Sequence, residues 1–226
     1  TGMSKWHVFT DTDQLDRALA RHLAQQLSDI IAEHGEVSLA VSGGATPTGM
    51  FRQLSRCELA WEHVWLTLVD ERRVATDSPD SNERLLRENL LQNRAATAHF
   101  VSMADKGAAG LESLEQAVVA MPGPLTAVVL GMGGDGHTAS WFPGAANLAA
   151  LLDPKNLASV AATEPPTAPH GRLTLTLAAV LRSREIIIHI TGETKKSVLE
   201  KAIERDYPVA AVLQQTTTPA SIWWAP

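Results

Sequence analysis

The stretch LTAVVLGMGGDGHTASWFPG, residues 125–144, decides how this chain is read. An apolar run at 127–130 leads straight into Gly131, Gly133 and Gly136, which satisfy the spacing G-x-G-x-x-G. A run without a polar face suits a strand buried on both sides, and glycines after it suit a turn whose backbone approaches a ligand. The same turn carries Asp135 and His137, an acid and a base that a loop serving only to cradle phosphate does not need. Dinucleotide binding and catalysis therefore compete for the motif.

A dinucleotide fingerprint belongs to the first β-α-β unit, with an acidic residue about 20 positions later at the end of the next strand. Here the motif lies past the middle of the chain, and Asp153 falls in LLDPKN, which does not look like a strand end. Asp135 would also set negative charge beside a pyrophosphate. Asp135 and His137 instead suit an orienting acid and a general base, since a carboxylate can fix the imidazole tautomer. A capping aspartate and a structural histidine at a helix start is the other reading these residues allow.

Outward from the motif, strands alternate with helices. Leu15, Leu19, Leu23, Leu27, Ile30 and Ile31 repeat at helical spacing across residues 11–34. Strands are expected at 37–41, 64–69, 127–130 and 186–190, with shorter ones at 159–162 and, as a final edge strand, 221–224. Helices are expected from Thr46-Pro47 to about Cys57, and over 81–91, 108–119, 173–182 and 194–205. This alternation implies parallel β-α units in an α/β fold, doubly wound with helices on both faces. The Pro-rich TEPPTAPHGR (163–172) reads as a mobile loop of one domain covering residues 3–226.

Composition narrows the partners. Of 226 residues 45% are hydrophobic, enough for a sizeable core, and the formal charge is -6. That charge argues against a nucleic-acid or membrane-surface partner but leaves room for a local cationic pocket. The single Cys57 allows no intramolecular disulfide and no cysteine-based metal cluster. No apolar leader or bilayer-length run is seen, so a soluble, cytoplasmic protein is expected.

Four expected strands end in polar or glycine-rich text: SGGATP, DERR, GMGGDGHT and TGETKK. Ligands of open parallel sheets bind outside the carboxyl ends of strands. Ser42, Gly43, Gly44 and Thr46 ahead of a helix suit a phosphate, or equally an ordinary strand-to-helix turn. No lysine follows these glycines, so the loop is not a Walker loop. Asp70, Glu71, Arg72 and Arg73 form either a solvated charge cluster or a site where Arg72 clamps an anion. Lys195 at a helix start and Arg172 beside the Pro-rich loop read as surface cations unless both reach one crevice. His189, inside a strand, reads as a satisfied core or edge histidine, and the remaining histidines as surface or packing residues.

With these blocks placed, the chain resembles the glucosamine-6-phosphate isomerase/6-phosphogluconolactonase family, on its lactonase side. The carriers are LAVSGGATP, VDERRV, DSPDSNERLLRENLL, GMGGDGHTASWFPG, PPTAPHGRLTLTLAAVL and ITGETKKSVLEKA, in the family's order from about Leu39 to Ala202. The resemblance implies a modified Rossmann-like, mostly parallel sheet that binds no nucleotide. The deaminases of this superfamily place a glutamate before the proline after Asp-Gly-His, where this chain has Phe142.

What the resemblance implies is hydrolysis of 6-phospho-D-glucono-1,5-lactone to 6-phosphogluconate in the oxidative pentose phosphate pathway, without metal or other cofactor. In that scheme His137 is the general base, with Asp135 or Asp70 supporting it, and Arg72 stabilises the oxyanion or holds substrate. Ser42, Gly43, Gly44, Thr46, Arg172 and Lys195 hold the phosphate. The implied partner is a small sugar-phosphate lactone, and the protein a monomer or small homo-oligomer. A deaminase or isomerase of the same fold and a non-catalytic sugar-phosphate sensor are the alternatives. Binding a phosphate requires neither His137 nor Asp135, which argues against the sensor.

Overall fold

The computed structural model describes residues 4–104 and 107–226. The chain begins with β1 (Lys5–Val8) and the long helix α1 (Thr12–His34), then enters β2 (Val37–Val41), α2 (Thr48–Leu54), β3 (Val64–Leu68) and the short β4 (Asp70–Arg72). Helix α3 (Asn82–Asn89), β5 (His99–Val101), α4 (Ala108–Val119) and β6 (Ala127–Leu130) follow. Beyond them lie α5 (Leu148–Leu151), β7 (Val160–Thr163), β8 (Arg172–Leu175), α6 (Leu177–Leu181), β9 (Ile186–Thr191), α7 (Glu193–Glu200), α8 (Ala210–Gln214) and β10 (Ala220–Ala225).

Seven strands form one parallel sheet in the order β1-β10-β9-β6-β2-β3-β5. Every residue of β2 and β6 is buried, so both faces of the middle of the sheet are covered, as their unbroken apolar runs require. From β2 the chain steps outward through β3 to β5, then returns to the other side of β2 at β6 and proceeds to β9 and β10. Strand order thus reverses between β2 and β6, which opens a crevice at their carboxyl ends. Helix α1 starts at Asp11, whose carboxylate accepts the Gln14 N–H at 2.8 Å, and buries Leu15, Leu19, Leu23 and Leu27 completely.

Several expectations need correcting. β10 is an inner strand; the edges are β1 and β5, which are short and partly exposed and gave no apolar signal. Such blunted edges resist pairing with other chains. Residues 70–72 do not merely end β3: β4, β8 and β7 form a separate antiparallel sheet of three strands. The helix expected over 173–182 starts only at Leu177, because alternating Leu and Thr run as strand β8 and Thr176 then caps α6 by accepting the Ala179 N–H. Helix α2 begins at Thr48, after Pro47, and α7 ends at Glu200 in a series of turns. Among the described residues no helix is long and apolar enough to cross a membrane.

His189 is not the satisfied histidine expected. It is 2% exposed, neither ring nitrogen has a hydrogen-bond partner, and the nearest carboxylate, Asp16 on α1, is 3.8 Å away. Burial drives the imidazole pKa down to about 4 and the Asp16 pKa up to about 6, each toward its neutral form. As pH falls below 6.5 the unfolded chain takes up a proton at His189 that the folded chain refuses until about pH 4, so stability is lost across that window. Asp16 acts in the opposite sense, its protonated form favouring the folded state as pH falls through about 6. In H189L only the second effect remains. Thermal melts at pH 7 and pH 4.5 should therefore show H189L gaining on the wild type at acid pH by on the order of a few kcal/mol. Parallel pH profiles would contradict this.

Candidate active site

The crevice between β2 and β6 is a cleft of about 380 Å³. Ser42, Gly43, Gly44 and Thr46 line it from the loop after β2, Asp70 and Arg72 from β4, His137 from the loop after β6, Arg172 from β8 and Lys195 from the first turn of α7. Of the ten residues singled out in the sequence, only Asp135 is not at the surface of this cleft; it stands behind His137. A larger cavity of about 450 Å³, mainly apolar, lies elsewhere among Val118, Met121, Leu157 and Ala179 and contains none of these residues.

The loop after β6 is held by its own hydrogen bonds. Gly133 N–H donates to the His137 carbonyl at 2.9 Å, and Thr138 Oγ1 donates to the Gly131 carbonyl at 2.7 Å. A Cβ on Gly133 would lie 2.1 Å from His137 Cε1, so only glycine lets the imidazole pack there. Trp141 is fully buried, and its indole N–H donates to the Leu175 carbonyl at 2.9 Å, which fastens the loop to β8. Ala139 takes φ 51°, a left-handed conformation unusual for a residue with a side chain.

Asp135 Oδ1 meets His137 Nδ1 at 2.5 Å and also accepts the His137 backbone N–H at 3.0 Å. Partial burial pushes the Asp135 pKa up, but these two hydrogen bonds and the charge of His137 outweigh it and hold the carboxyl below its ordinary range. An ionised carboxylate at Nδ1 selects the Nδ1–H tautomer and leaves Nε2 with the free lone pair. Asp70, by contrast, is engaged by Ser140, whose hydroxyl donates to Oδ2 at 2.6 Å. The imidazole Nδ1–H thus donates to Asp135 rather than to Asp70.

The two arginines face each other. Arg72 and Arg172 are directly opposed in the antiparallel β4–β8 ladder, a register that is destabilising for like charges. Arg172 is not the mobile cation expected beside a Pro-rich loop but a strand residue 6% exposed. Its burial and then the charge of Arg72 lower its pKa, against Asp70, Glu71 and Asp80, which act to raise it. The Nε atoms of both arginines are buried without a hydrogen-bond partner. Arg72 Nη1 donates to the Asp80 carbonyl at 2.9 Å and Arg172 Nη2 to the Pro169 carbonyl at 3.2 Å. His170 Nε2 meets Asp80 Oδ2 at 3.0 Å and ties the two supporting loops together. Lys195 Nζ donates to the Met132 carbonyl.

The sequence marks neither the anchoring role of Glu71, which it places only in the 70–73 charge cluster, nor the position of Asn82 against Gly43. Glu71 is a buried carboxylate that accepts the backbone N–H groups of Arg72, Asn82 and Glu83, each at 2.8 Å, and the Ser81 hydroxyl at 3.1 Å. Burial nonetheless raises its pKa, since desolvation exceeds what these donors return. It locks the start of α3 to β4. Asn82 lies so close to Gly43 that a Cβ there would fall 2.1 Å from its Oδ1, which accounts for glycine at 43. Ser81 caps α3 by accepting the Arg84 N–H, and nothing local in the sequence marks Glu71, ten residues upstream, as its partner.

A parallel α/β sheet whose switch-point cleft gathers cations around a histidine–aspartate dyad defines a protein that handles a small anionic substrate. The chain belongs to the glucosamine-6-phosphate isomerase/6-phosphogluconolactonase family, whose sequence profile matches residues 10–223. A 6-phosphogluconolactonase of Mesorhizobium japonicum is 45% identical over 227 aligned positions, covering 98% of this chain and 95% of that protein. One from Rhizobium meliloti is 41% identical, covering 97% and 98%. The crystal structure of a 6-phosphogluconolactonase from Shewanella baltica superposes with a TM-score of 0.95 at 42% identity, each chain covered completely.

The buried Glu71 generates a test of this scaffold. In E71Q an amide NH2 replaces one acceptor oxygen and leaves donors facing donors. The expected loss is about 1–3 kcal/mol, a fall in Tm of roughly 3–10 °C for a chain of this size. An unchanged Tm in thermal denaturation would remove Glu71 as the anchor of α3.

Proposed function

We propose that this chain hydrolyses 6-phospho-D-glucono-1,5-lactone to 6-phospho-D-gluconate, the step its relatives' names describe and one of the oxidative pentose phosphate pathway. One observation carries the reading: His137, hydrogen-bonded from behind to Asp135, and the Arg72, Arg172 and Lys195 cations border a single cleft. A lactone carbonyl is electrophilic enough for water to attack once a base assists. His137 Nε2 takes a proton from water as its oxygen bonds to C1, and the carbonyl electrons move onto the oxyanion. The C1–O5 bond then breaks, and the imidazolium returns its proton to the departing ring oxygen. The new carboxylic acid gives its proton to solvent. Asp135 keeps Nδ1 protonated and stabilises the transient imidazolium.

Arg72 supports the oxyanion or the bound lactone, with Asp70 beside it in the cleft. The 42–46 loop, Arg172 and Lys195 hold the phosphate, so binding energy remote from C1 orients the reacting carbon. An anion there also relieves the opposition of Arg72 and Arg172 and gives their unpartnered donors an acceptor. On this reading residues 3–226 act as one lactonase domain. It is a cytoplasmic monomer or small homo-oligomer needing no metal or nicotinamide and no nucleic-acid partner.

Proton release from freshly made lactone, corrected for spontaneous hydrolysis, tests the proposal. H137A should lose roughly 100-fold or more in kcat while staying folded. Arg172→Ala and Lys195→Ala should each lose roughly ten- to a hundredfold in kcat/KM on the phosphorylated lactone and little on gluconolactone. Near-wild-type activity in folded H137A would remove the histidine from the mechanism. Equal losses of the cation variants on both substrates would remove the phosphate clamp.

A further inference from the structure

Phe142 neither binds nor transfers a proton in the scheme above, yet its ring touches both kinds of group that do. It is 4% exposed, and its centroid lies 4.3 Å from that of the His137 imidazole, with 28° between the planes. The guanidinium carbon of Arg172 lies 5.1 Å from the same centroid. His137 reaches the ring from the loop after β6, and Arg172 reaches it from β8. On one side of Phe142 the backbone is anchored by Trp141, whose indole N–H is bonded to Leu175 on that same strand. The loop that carries Phe142 is thus fastened to the strand that carries Arg172.

Each partner lacks a constraint that a flat surface supplies. Asp135 holds the imidazole by one edge, a contact that permits the ring to rock about the Nδ1–Oδ1 line. A stacked aromatic face removes that freedom. Among the described residues Arg172 has a buried Nε without a hydrogen-bond partner and a single side-chain hydrogen bond, to the Pro169 carbonyl. The aromatic surface, favourable to a cation, restrains the guanidinium. Tight orientation of base and anchor matters because small misplacements of a reacting group are expensive in rate.

We propose that Phe142 is a positioning residue, a common platform that fixes the base His137 relative to the guanidinium of Arg172. A lactone held by its phosphate is thereby presented with C1 at the base. This rests on the lactonase reading above.

The test compares wild type, F142L, F142Y and H137A on phosphorylated and unphosphorylated lactone. F142L keeps an apolar side chain without the ring. It should lose about tenfold in kcat on both substrates and show a several-fold higher KM only with the phosphorylated one, and F142Y should restore both to near wild type. The rise in KM should vanish when F142L is made in the R172A background, where the anchor is already gone. A readout independent of the variants' folding is the His137 Hε1 resonance in the wild type, assigned by its absence in H137A. It should lie upfield of the position of an unstacked imidazole through the ring current of Phe142. Wild-type kinetics in F142L, equal impairment of F142Y, or an unshifted His137 signal would overturn the proposal. No hydrolysis of the phosphorylated lactone by the wild type above the spontaneous rate would instead overturn the lactonase reading, so the two failures are distinct.

Discussion

The cleft depends on one topological constraint. β2 and β6 are hydrogen-bonded neighbours, yet the chain leaves one toward β3 and arrives at the other before turning to β9. Their following loops must diverge, and no helix can close the gap between them without filling it. Glycines then decide what fits there. Gly43 leaves room for Asn82, and Gly133 leaves room for His137, in both cases where a Cβ would collide at 2.1 Å. Within G-x-G-x-x-G, Gly133 is explained by the packing of His137, and Gly136 by its φ of 80° and the approach of Tyr207.

The second sheet turns that crevice into a charged one. Because β4 follows β3 directly and pairs with β8, Arg72 and Arg172 stand opposite each other, supported by carbonyls of two loops that the Asp80–His170 contact joins. The opposed guanidinium groups are tolerated because Asp70, Glu71 and Asp80 lie near. Glu71 stabilises the arrangement in another way, by securing the first turn of α3 to the strand that carries Arg72. Phe142 then links Arg172 on one side of the cleft to His137 on the other. Fold stability and site geometry share the same few contacts, so substitutions at Glu71 or Phe142 act on both.

The legible part of this structure is the part governed by local pattern. The unbroken apolar runs of β2, β6 and β9 and the period of α1 follow from neighbours in sequence. β4 was illegible because Asp-Glu-Arg has no apolar residue to mark a strand, and its pairing with β8 lies about a hundred residues away. β8 was misread although Leu173, Thr174 and Leu175 alternate, because the apolar helix that follows blurred the period. Among site residues, Asp135 and His137 announced themselves by spacing, since their contact is local. The contacts of Asn82, Glu71 and Phe142 depend on tertiary neighbours that composition does not encode. The missing partners of His189 are likewise a property of packing alone.

The central claim is that one end of the cleft takes the phosphate while C1 rests at His137. A crystal structure of the chain with 6-phosphogluconate tests it most directly. The account predicts phosphate oxygens within hydrogen-bond reach of Arg172, Lys195 and the N–H groups of the 42–46 loop, with the C1 carboxylate beside His137 Nε2 and Arg72. A ligand bound in the reverse orientation, or in the apolar cavity beside Leu157 and Ala179, would contradict it.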